Sequence, residues 1–375
     1  MKRRRNIIQW IIGVLVLLIA GSTVTLMSCA SFGAKVSGQR LEQVQASVHS
    51  QEGKFANASP LSPVEWGELW NFLGERLFGD QIRHPPSAIP VVAIQPDSFT
   101  TPPPPGLRTM WIGHSSVLIE LDGVRFLVDP VFSDYASPFQ WAGPKRFQPP
   151  PIRLDDVPPI EAVLISHDHY DHLDMHTVQH LAAKGTHFFV PLGIGAHLEE
   201  WNVPPNQITD LDWWESKQLG SVTFVCTPAQ HYSGRGLFDR METLWASWSV
   251  IGPEHRVFYS GDTGFSDHFQ KIGERFGPFD LSVIKIGAYG PMAFWHDIHI
   301  DPEQAIQAHL AIQGRRLLPV HWATFNLGLH AWDEPIQRAV KAAKEHNVDL
   351  LTPRIGEVVT AGQPFRSSPW WEDVK

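Results

Sequence analysis

Cysteine is nearly absent from this chain of 375 residues: only Cys29 and Cys226 occur. The fold therefore cannot be a disulfide scaffold, and its stability has to come from a packed core, with or without a metal. Cations are also in deficit. Thirty Lys and Arg stand against 39 Asp and Glu, a formal charge of -9, which argues against a nucleic-acid-binding protein with its clustered bases. There is no repeat of fixed period, and no low-complexity tract apart from the prolines at 102–105. A 43% hydrophobic content with 29 Gly and 31 Pro is neither disordered nor collagen-like. Against these shortages stand 19 His, 15 Trp and 21 Phe. The length allows one large domain or two modest ones.

The first thirty residues form a separate object. Lys2, Arg3, Arg4 and Arg5 precede an almost wholly apolar run over residues 7–27, the pattern of a secretory signal or N-terminal anchor. Leu26-Met27-Ser28-Cys29 resembles the bacterial lipobox, whose cleavage would leave Cys29 as a lipidated terminus. The alternative is an uncleaved helix, since about 20 apolar residues span a bilayer. Either way the four cations stay in the cytoplasm and the remainder faces outward. The expected residence is the bacterial cell envelope, periplasmic face, with the outer membrane for a lipoprotein and the inner membrane for an anchor. Without residues 1–28 the chain keeps 26 basic and 39 acidic residues, a formal charge of -13.

Residues 30–106 are expected to hold a polar tether, a helix and a proline-rich linker, and residues 107–375 a single catalytic domain. Ser62-Pro63-Val64-Glu65 has capping-box spacing. Trp66, Leu69, Trp70, Leu73 and Leu77 then recur at helical spacing. This helix either packs on the main domain or docks on a membrane. Strands are predicted over 108–112, 116–121, 124–128, 162–166, 187–190, 221–226, 246–251, 256–260, 281–286 and 317–320. Helices are predicted from Asp301 to about Ile312 and from Asp333 to about Glu345. Early strands at hairpin spacing and later strands alternating with helices imply stacked sheets with helices outside.

The informative segment is Ala162-Val163-Leu164-Ile165-Ser166-His167-Asp168-His169-Tyr170-Asp171-His172. An apolar strand delivers four possible metal ligands, His167, His169, Asp171 and His172, in one loop. Imidazole and carboxylate suit zinc, with iron or manganese also possible. Further candidates follow later strands: His231 after 221–226, Asp262 after 256–260, His321 after 317–320. Five imidazoles and two carboxylates on one rim suffice for two metals if one carboxylate bridges, and Asp262 is placed to do so.

These residues, with Trp111-Ile112-Gly113-His114, Gly143-Pro144-Lys145-Arg146-Phe147 and Asp212-Trp213-Trp214-Glu215, resemble the metallo-β-lactamase superfamily. The similarity is greatest to its branch of N-acylphosphatidylethanolamine-hydrolysing phospholipases D, and runs over residues of about 108 to 360. The resemblance implies an α+β fold, a four-layer αβ/βα sandwich, with two Zn2+ ions at one edge. It assigns His167, His169 and His231 to one zinc, Asp171, His172 and His321 to the other, and Asp262 to both. It also implies substrate contacts at Tyr170 and His299. The chain departs from the family pattern at Gly234, where a basic residue is usual; Arg235 is the neighbouring candidate. His114 is read as a residue supporting the ligands.

The expected reaction is attack on phosphorus by a hydroxide held between two zinc ions, bound water having a pKa near 7. Asp171 would orient this nucleophile and Asp262 would complete the catalytic pair. The expected products are phosphatidic acid and an N-acylethanolamine. Phe139, Trp141, Phe147, Trp213, Trp214, Phe294 and Trp295 are candidates for an acyl groove, and Lys145 and Arg146 for headgroup contacts. The partners expected are a phospholipid or other small amphiphile and, through the N-terminal lipid or helix, a membrane, with no nucleic acid; the oligomeric state stays open. A charge of -13 opposes binding to anionic lipid. Two alternatives use the same residues: hydrolysis of another ester, lactone, β-lactam or cyclic phosphodiester, or an envelope lipoprotein with a structural metal.

Overall fold

The computed structural model describes residues 29–375, with 64, 96 and 97 excepted. The segment read as a signal or anchor, residues 1–28, lies outside the described residues. Among those described, no helix is long and apolar enough to cross a membrane.

The chain begins with α1 (Gly38–Ala46), the small hairpin β1 (Ser50–Gln51) and β2 (Lys54–Phe55), and α2 (Trp66–Phe78). A first sheet is then built from β3 (Leu107–Gly113), β4 (Ser116–Leu121), β5 (Val124–Val128), β6 (Ala162–Leu164), β7 (His187–Pro191) and β8 (Ile208–Leu211), with α3 (Met175–Ala183) and α4 (Gly195–Glu200) between them. A second follows from β9 (Ser216–Leu219), β10 (Val222–Thr227), β11 (Ser247–Ile251), β12 (Arg256–Tyr259), β13 (Phe279–Lys285) and β14 (Gly314–Val320), interleaved with α5 (His268–Phe276), α6 (Ala293–His296) and α7 (Pro302–Ala311). After α8 (Glu334–Glu345), β15 (Asp349–Leu350) joins the second sheet and β16 (Val358–Thr360) the first.

Both sheets have seven strands, in the orders β16-β3-β4-β5-β6-β7-β8 and β15-β14-β13-β12-β11-β10-β9. Each is antiparallel in one half and parallel in the other, the change falling at β5 in the first and β12 in the second. Strand periodicity explains how the sheets stack. On the first sheet Trp111, Val117, Ile119, Phe126 and Val128 face inward, into one core with Phe224 and Trp248 of the second. Alternate residues, Met110, Ile112, Leu118 and Leu127, face outward onto Val178 and Leu181 of α3 and Leu198 of α4. Rings tie the sheets together: Phe224 lies edge-on to Phe126 at 5.4 Å and stacked on Phe189 at 4.8 Å. Helices α5, α7 and α8 lie on the other side of the second sheet. Asp301 and Gln304 close a reciprocal capping box, with Pro302 in the first turn, and so fix where α7 starts. Two mixed sheets with helices outside are the architecture expected.

Residues 29–57 are not the free tether read from their polar composition. A few well-spaced apolar anchors, Val36, Val44 and Phe55, sink into the central core. Polar contacts fasten the stretches between them. Trp201 Nε1 donates to Ala30 O at 2.6 Å, Ala34 N to His197 Nδ1 at 3.0 Å, and Phe55 N to Met241 O at 2.8 Å. Arg40 pairs with Glu199 at 3.0 Å and with the buried Asp210. The segment is a strap. The predicted capping box is also displaced: α2 begins at Trp66, and Ser62 N donates instead to Asp297 Oδ2 at 2.5 Å.

Candidate metal centre

Four strands end at one edge of the sandwich, and each carries a predicted ligand just beyond its last residue. β6 leads to the His167–His172 loop, β10 to His231, β12 to Asp262 and β14 to His321. Parallel registers hold the last two edges level, with Tyr259 opposite Val283 and Lys285 opposite Val320. The turns that follow are tight. Gly261 has φ +54°, and any Cβ there would collide with Ser166 and with Ala246 O, so this position needs glycine. His321 itself takes φ +66°, a conformation that a non-glycine residue holds at a cost of about 1–3 kcal/mol. Its N–H donates to His114 O at 2.9 Å, which secures it.

All seven predicted ligands converge. In one group His167 Nε2 is 2.9 Å from His169 Nδ1, and His231 Nε2 lies 3.3 Å from that same nitrogen. In the other, Asp171 Oδ2 is 3.4 Å from both His172 Nε2 and His321 Nε2. Asp262 stands between them. Its Oδ2 is 3.1 Å from His321 Nε2 and 4.0 Å from His231 Nε2, and its Oδ1 is 3.5 Å from His172 Nε2. His172 Nε2, His321 Nε2 and Asp262 Oδ1 are buried with no hydrogen-bond partner. Buried polar atoms are rarely left so; three of them aimed at one volume fit metal coordination, and the all-nitrogen-and-oxygen donor set fits a catalytic zinc centre.

The ligands are in turn held from behind. Asp129, at the end of β5 and fully buried, accepts from His172 Nδ1 at 2.6 Å, from Ser166 N at 2.7 Å and Oγ at 2.5 Å, and from the Tyr259 hydroxyl. A carboxylate behind a histidine fixes the tautomer that leaves Nε2 free for a metal. His231 Nδ1 donates to Ile298 O at 3.0 Å, and His114 Nε2 is 2.9 Å from Asp171 Oδ2. Asn57, from the strap, brackets His231: its Nδ2 donates to His231 O at 2.8 Å and its Oδ1 accepts from His231 N at 3.0 Å.

Burial, reinforced by neighbouring imidazoles, holds His167 well below the ordinary imidazole range. His231 is lowered likewise, by burial and then by His169. Both stay neutral, the form that binds metal. Burial opposes charge on His172 too, but Asp262, Asp171 and Asp129 prevail and raise it well above that range. The same negative field favours a divalent cation at its Nε2. Asp262 is held well below the carboxylate range: burial opposes its charge, while His321 and Lys285 outweigh that penalty.

The ligand clusters floor a cleft of about 360 Å³. His299 lines it, 3.5 Å from Asp262 Oδ2 through Nδ1. Tyr170 does not. Its hydroxyl donates to Arg235 O at 2.7 Å and its ring stacks 4.1 Å from the Arg235 guanidinium, so it faces a different recess, lined by Ser31 and Tyr135. Nor does Arg235 supply the missing headgroup cation: it is buried, donating to Asp168 O, Leu173 O and Ser31 O. Of the aromatic candidates, Phe294 and Trp295 line the cleft. Trp213 is buried in the core, Trp214 stacks on Phe276, and Trp141 is exposed. Arg146 is likewise committed, to Val131 O and Ser133 O. Sequence reasoning assigned no supporting role to Asn57, Asp129 or Lys285. A lone Asn in a polar stretch and a Lys ending a strand carry no spacing signal.

The cleft has an apolar wall. Leu69 and Phe72 of α2 line it, with Phe72 5.5 Å from Trp295. No described residue of α2 is buried: Trp66, Trp70, Leu77 and Phe78 are 69–86% exposed.

The pattern of the β-lactamase superfamily domain matches residues 124–322. An uncharacterised protein of Mycobacterium tuberculosis is 42% identical over 348 residues, covering 91% of this chain and 92% of its own length. The N-acyl-phosphatidylethanolamine-hydrolyzing phospholipase D 1 of Caenorhabditis elegans is 42% identical over 252 residues, 64% of this chain and 70% of the worm protein. Among solved structures, a metallo hydrolase from Ignicoccus hospitalis superposes with a TM-score of 0.53 at 22% identity, over 69% of this chain and 99% of that one, and shares the fold. The chain belongs to the β-lactamase superfamily of metal-dependent hydrolases, with N-acylphosphatidylethanolamine-hydrolysing phospholipases D among its relatives.

Proposed function

We propose that this protein is a dinuclear zinc phosphodiesterase of phospholipase D type. It would act on N-acylated phosphatidylethanolamine at a membrane surface. One observation carries the reading: a ligand-lined floor lies under a cleft whose wall is a helix apolar both toward the cleft and toward solvent. A water-soluble substrate needs no such wall, whereas acyl chains do. The activity named for the worm relative supports the same class.

His167, His169 and His231 would hold one metal and Asp171, His172 and His321 the other, with Asp262 shared. When bound, the pair supplies Lewis acidity toward the phosphoryl oxygens and a water acidified to near neutrality. The protein's own groups do the rest. Asp171, oriented by His114, offers a proton acceptor on the cleft floor. Leu69, Phe72, Phe294 and Trp295 receive acyl chain and exclude water. Cleavage between phosphorus and the ethanolamine oxygen gives phosphatidic acid and an N-acylethanolamine. The envelope address belongs to the proposal as well, with Cys29 as the lipidated residue. Palmitate label should enter the intact chain and be lost in Cys29→Ala.

Purified, zinc-reconstituted protein offered mixed micelles of N-acylphosphatidylethanolamine should release N-acylethanolamine, and His321→Ala should not. Absence of product from protein carrying two zinc ions would overturn the lipid assignment. Turnover of a lactone or cyclic phosphodiester under the same conditions would replace it.

A further inference from the structure

Lys285 ends β13, between the strands that deliver Asp262 and His321, and its side chain is fully buried. Burying an ammonium without a partner is costly, and here two groups meet it. Nζ is in hydrogen-bond contact with His299 Nδ1 and lies 4.0 Å from Asp262 Oδ1. An ammonium has only donors, so His299 Nδ1 must accept. An imidazole that accepts at Nδ1 carries its hydrogen on Nε2. Nε2 has no protein hydrogen bond among the described residues, and His299 lines the cleft.

His299 could otherwise join the metal site, because His231, Asp262 and His299 place ligand atoms within 4.8 Å of one another. Its Nδ1 is the atom near Asp262, at 3.5 Å, and the lone pair of that nitrogen is occupied by Lys285. We propose that Lys285 is a positioning residue: it withholds His299 from the metals and locks it as an Nε2–H donor aimed into the cleft, where it would bond a phosphoryl oxygen. This role rests on the phosphodiesterase reading above but not on its lipid substrate, and the tautomer of His299 is read without reference to activity.

The test is tautomer state, read by long-range 1H–15N correlation on zinc-reconstituted protein labelled at histidine, with His299→Gln locating the resonance. His299 in the unsubstituted protein should show a protonated Nε2 and a bare Nδ1. In Lys285→Met this signature should give way to averaged or Nδ1–H shifts, with zinc content unchanged and kcat/KM for bis(4-nitrophenyl) phosphate down about tenfold. Lys285→Gln, which keeps a donor, should restore the Nε2–H pattern. A protonated Nδ1 in the unsubstituted protein would overturn the inference even if neither variant folds. An unaltered His299 signature in folded Lys285→Met, or loss of zinc from it, would do the same.

Discussion

Replacing Asp129 by Asn isolates the support behind the metal ligands, because the two side chains are nearly isosteric. Asp129 Oδ2 accepts from His172 Nδ1, Ser166 Oγ and the Tyr259 hydroxyl, and Oδ1 accepts from Ser166 N. An amide has to place its NH2 against one of these sets. The cheaper orientation faces Ser166 N alone, which leaves that N–H and the amide hydrogens turned toward it without acceptors, at a cost of about 1–3 kcal/mol for each buried donor left unpaired. In that orientation His172 still finds an oxygen, but a neutral one. Loss of a hydrogen-bond partner behind a ligand typically costs 10–100-fold in metal affinity, about 1.4–2.7 kcal/mol. Asp129→Asn should therefore unfold at least about 1–3 kcal/mol more easily in denaturant. It should also surrender zinc at 10–100-fold lower effective chelator strength. Both can be measured on one preparation, by denaturant titration and by zinc release to a competing chelator. If stability falls while the chelator midpoint stays at the wild-type value, Asp129 merely packs the edge, and the account of how His172 is oriented is wrong.

Phe55→Ala should cost about 3–5 kcal/mol, the usual range for emptying a buried Phe site, because Phe55 is only 3% exposed; a denaturant midpoint equal to wild type would mean that the strap does not hold in solution. Trp70→Glu should leave stability within about 0.5 kcal/mol, since Trp70 is 69% exposed. It should also weaken binding to phosphatidylcholine vesicles by roughly ten- to hundredfold, the equivalent of about 1.5–3 kcal/mol of lost apolar burial; equal cosedimentation of the two proteins would refute a lipid-facing α2. Burial depresses His309 to about 4. The unfolded chain then binds the extra proton between pH 6.5 and 4, so stability is complete above 6.5 and falls by about 3 kcal/mol as pH drops through that window. His309→Asn should flatten this part of the acid limb of the stability profile, and an unchanged slope would refute the assignment.

What the sequence made legible follows from where its signals come from. The ligand loop could be read because one apolar strand and its four donors lie within eleven consecutive residues, and because each later ligand directly follows a strand. Predicted strands 116–121 and 124–128 coincide with β4 and β5, where both faces are buried and every residue is apolar or paired. Strands β8 and β9 were missed: Ser216–Leu219 is mostly exposed and polar, so no hydrophobic period marks it. Helix α5 was missed for a different reason, its four buried residues being His268, Phe269, Ile272 and Gly273, a stripe broken by histidine and glycine. Among site residues, Tyr170 and Arg235 were misplaced for a common cause. They satisfy each other, and a sequence does not show that two side chains 65 residues apart share a contact. Asn57 makes its three side-chain hydrogen bonds, to His231 and Trp245, and Lys285 its contact with His299, only when separate segments meet.

The strap has a consequence for attachment. Thirty free residues could stretch to about 100 Å, enough for a body to roam and rotate over whatever holds its first residue. Among the described residues no such leash follows Cys29. Cys29 Sγ lies 3.2 Å from Ser31 Oγ, Ser31 O is gripped by Arg235, and Ser31 Oγ donates to Pro138 O at 2.9 Å. Anything joined to Cys29 is thus joined at a fixed point on the rigid body, a few residues of sequence from the grip on Asp168 and Leu173. An attachment there sets the tilt of the whole domain as well as its height, and lengthening the chain at that joint by a dozen flexible residues would turn an oriented enzyme into a tumbling one without touching its active centre.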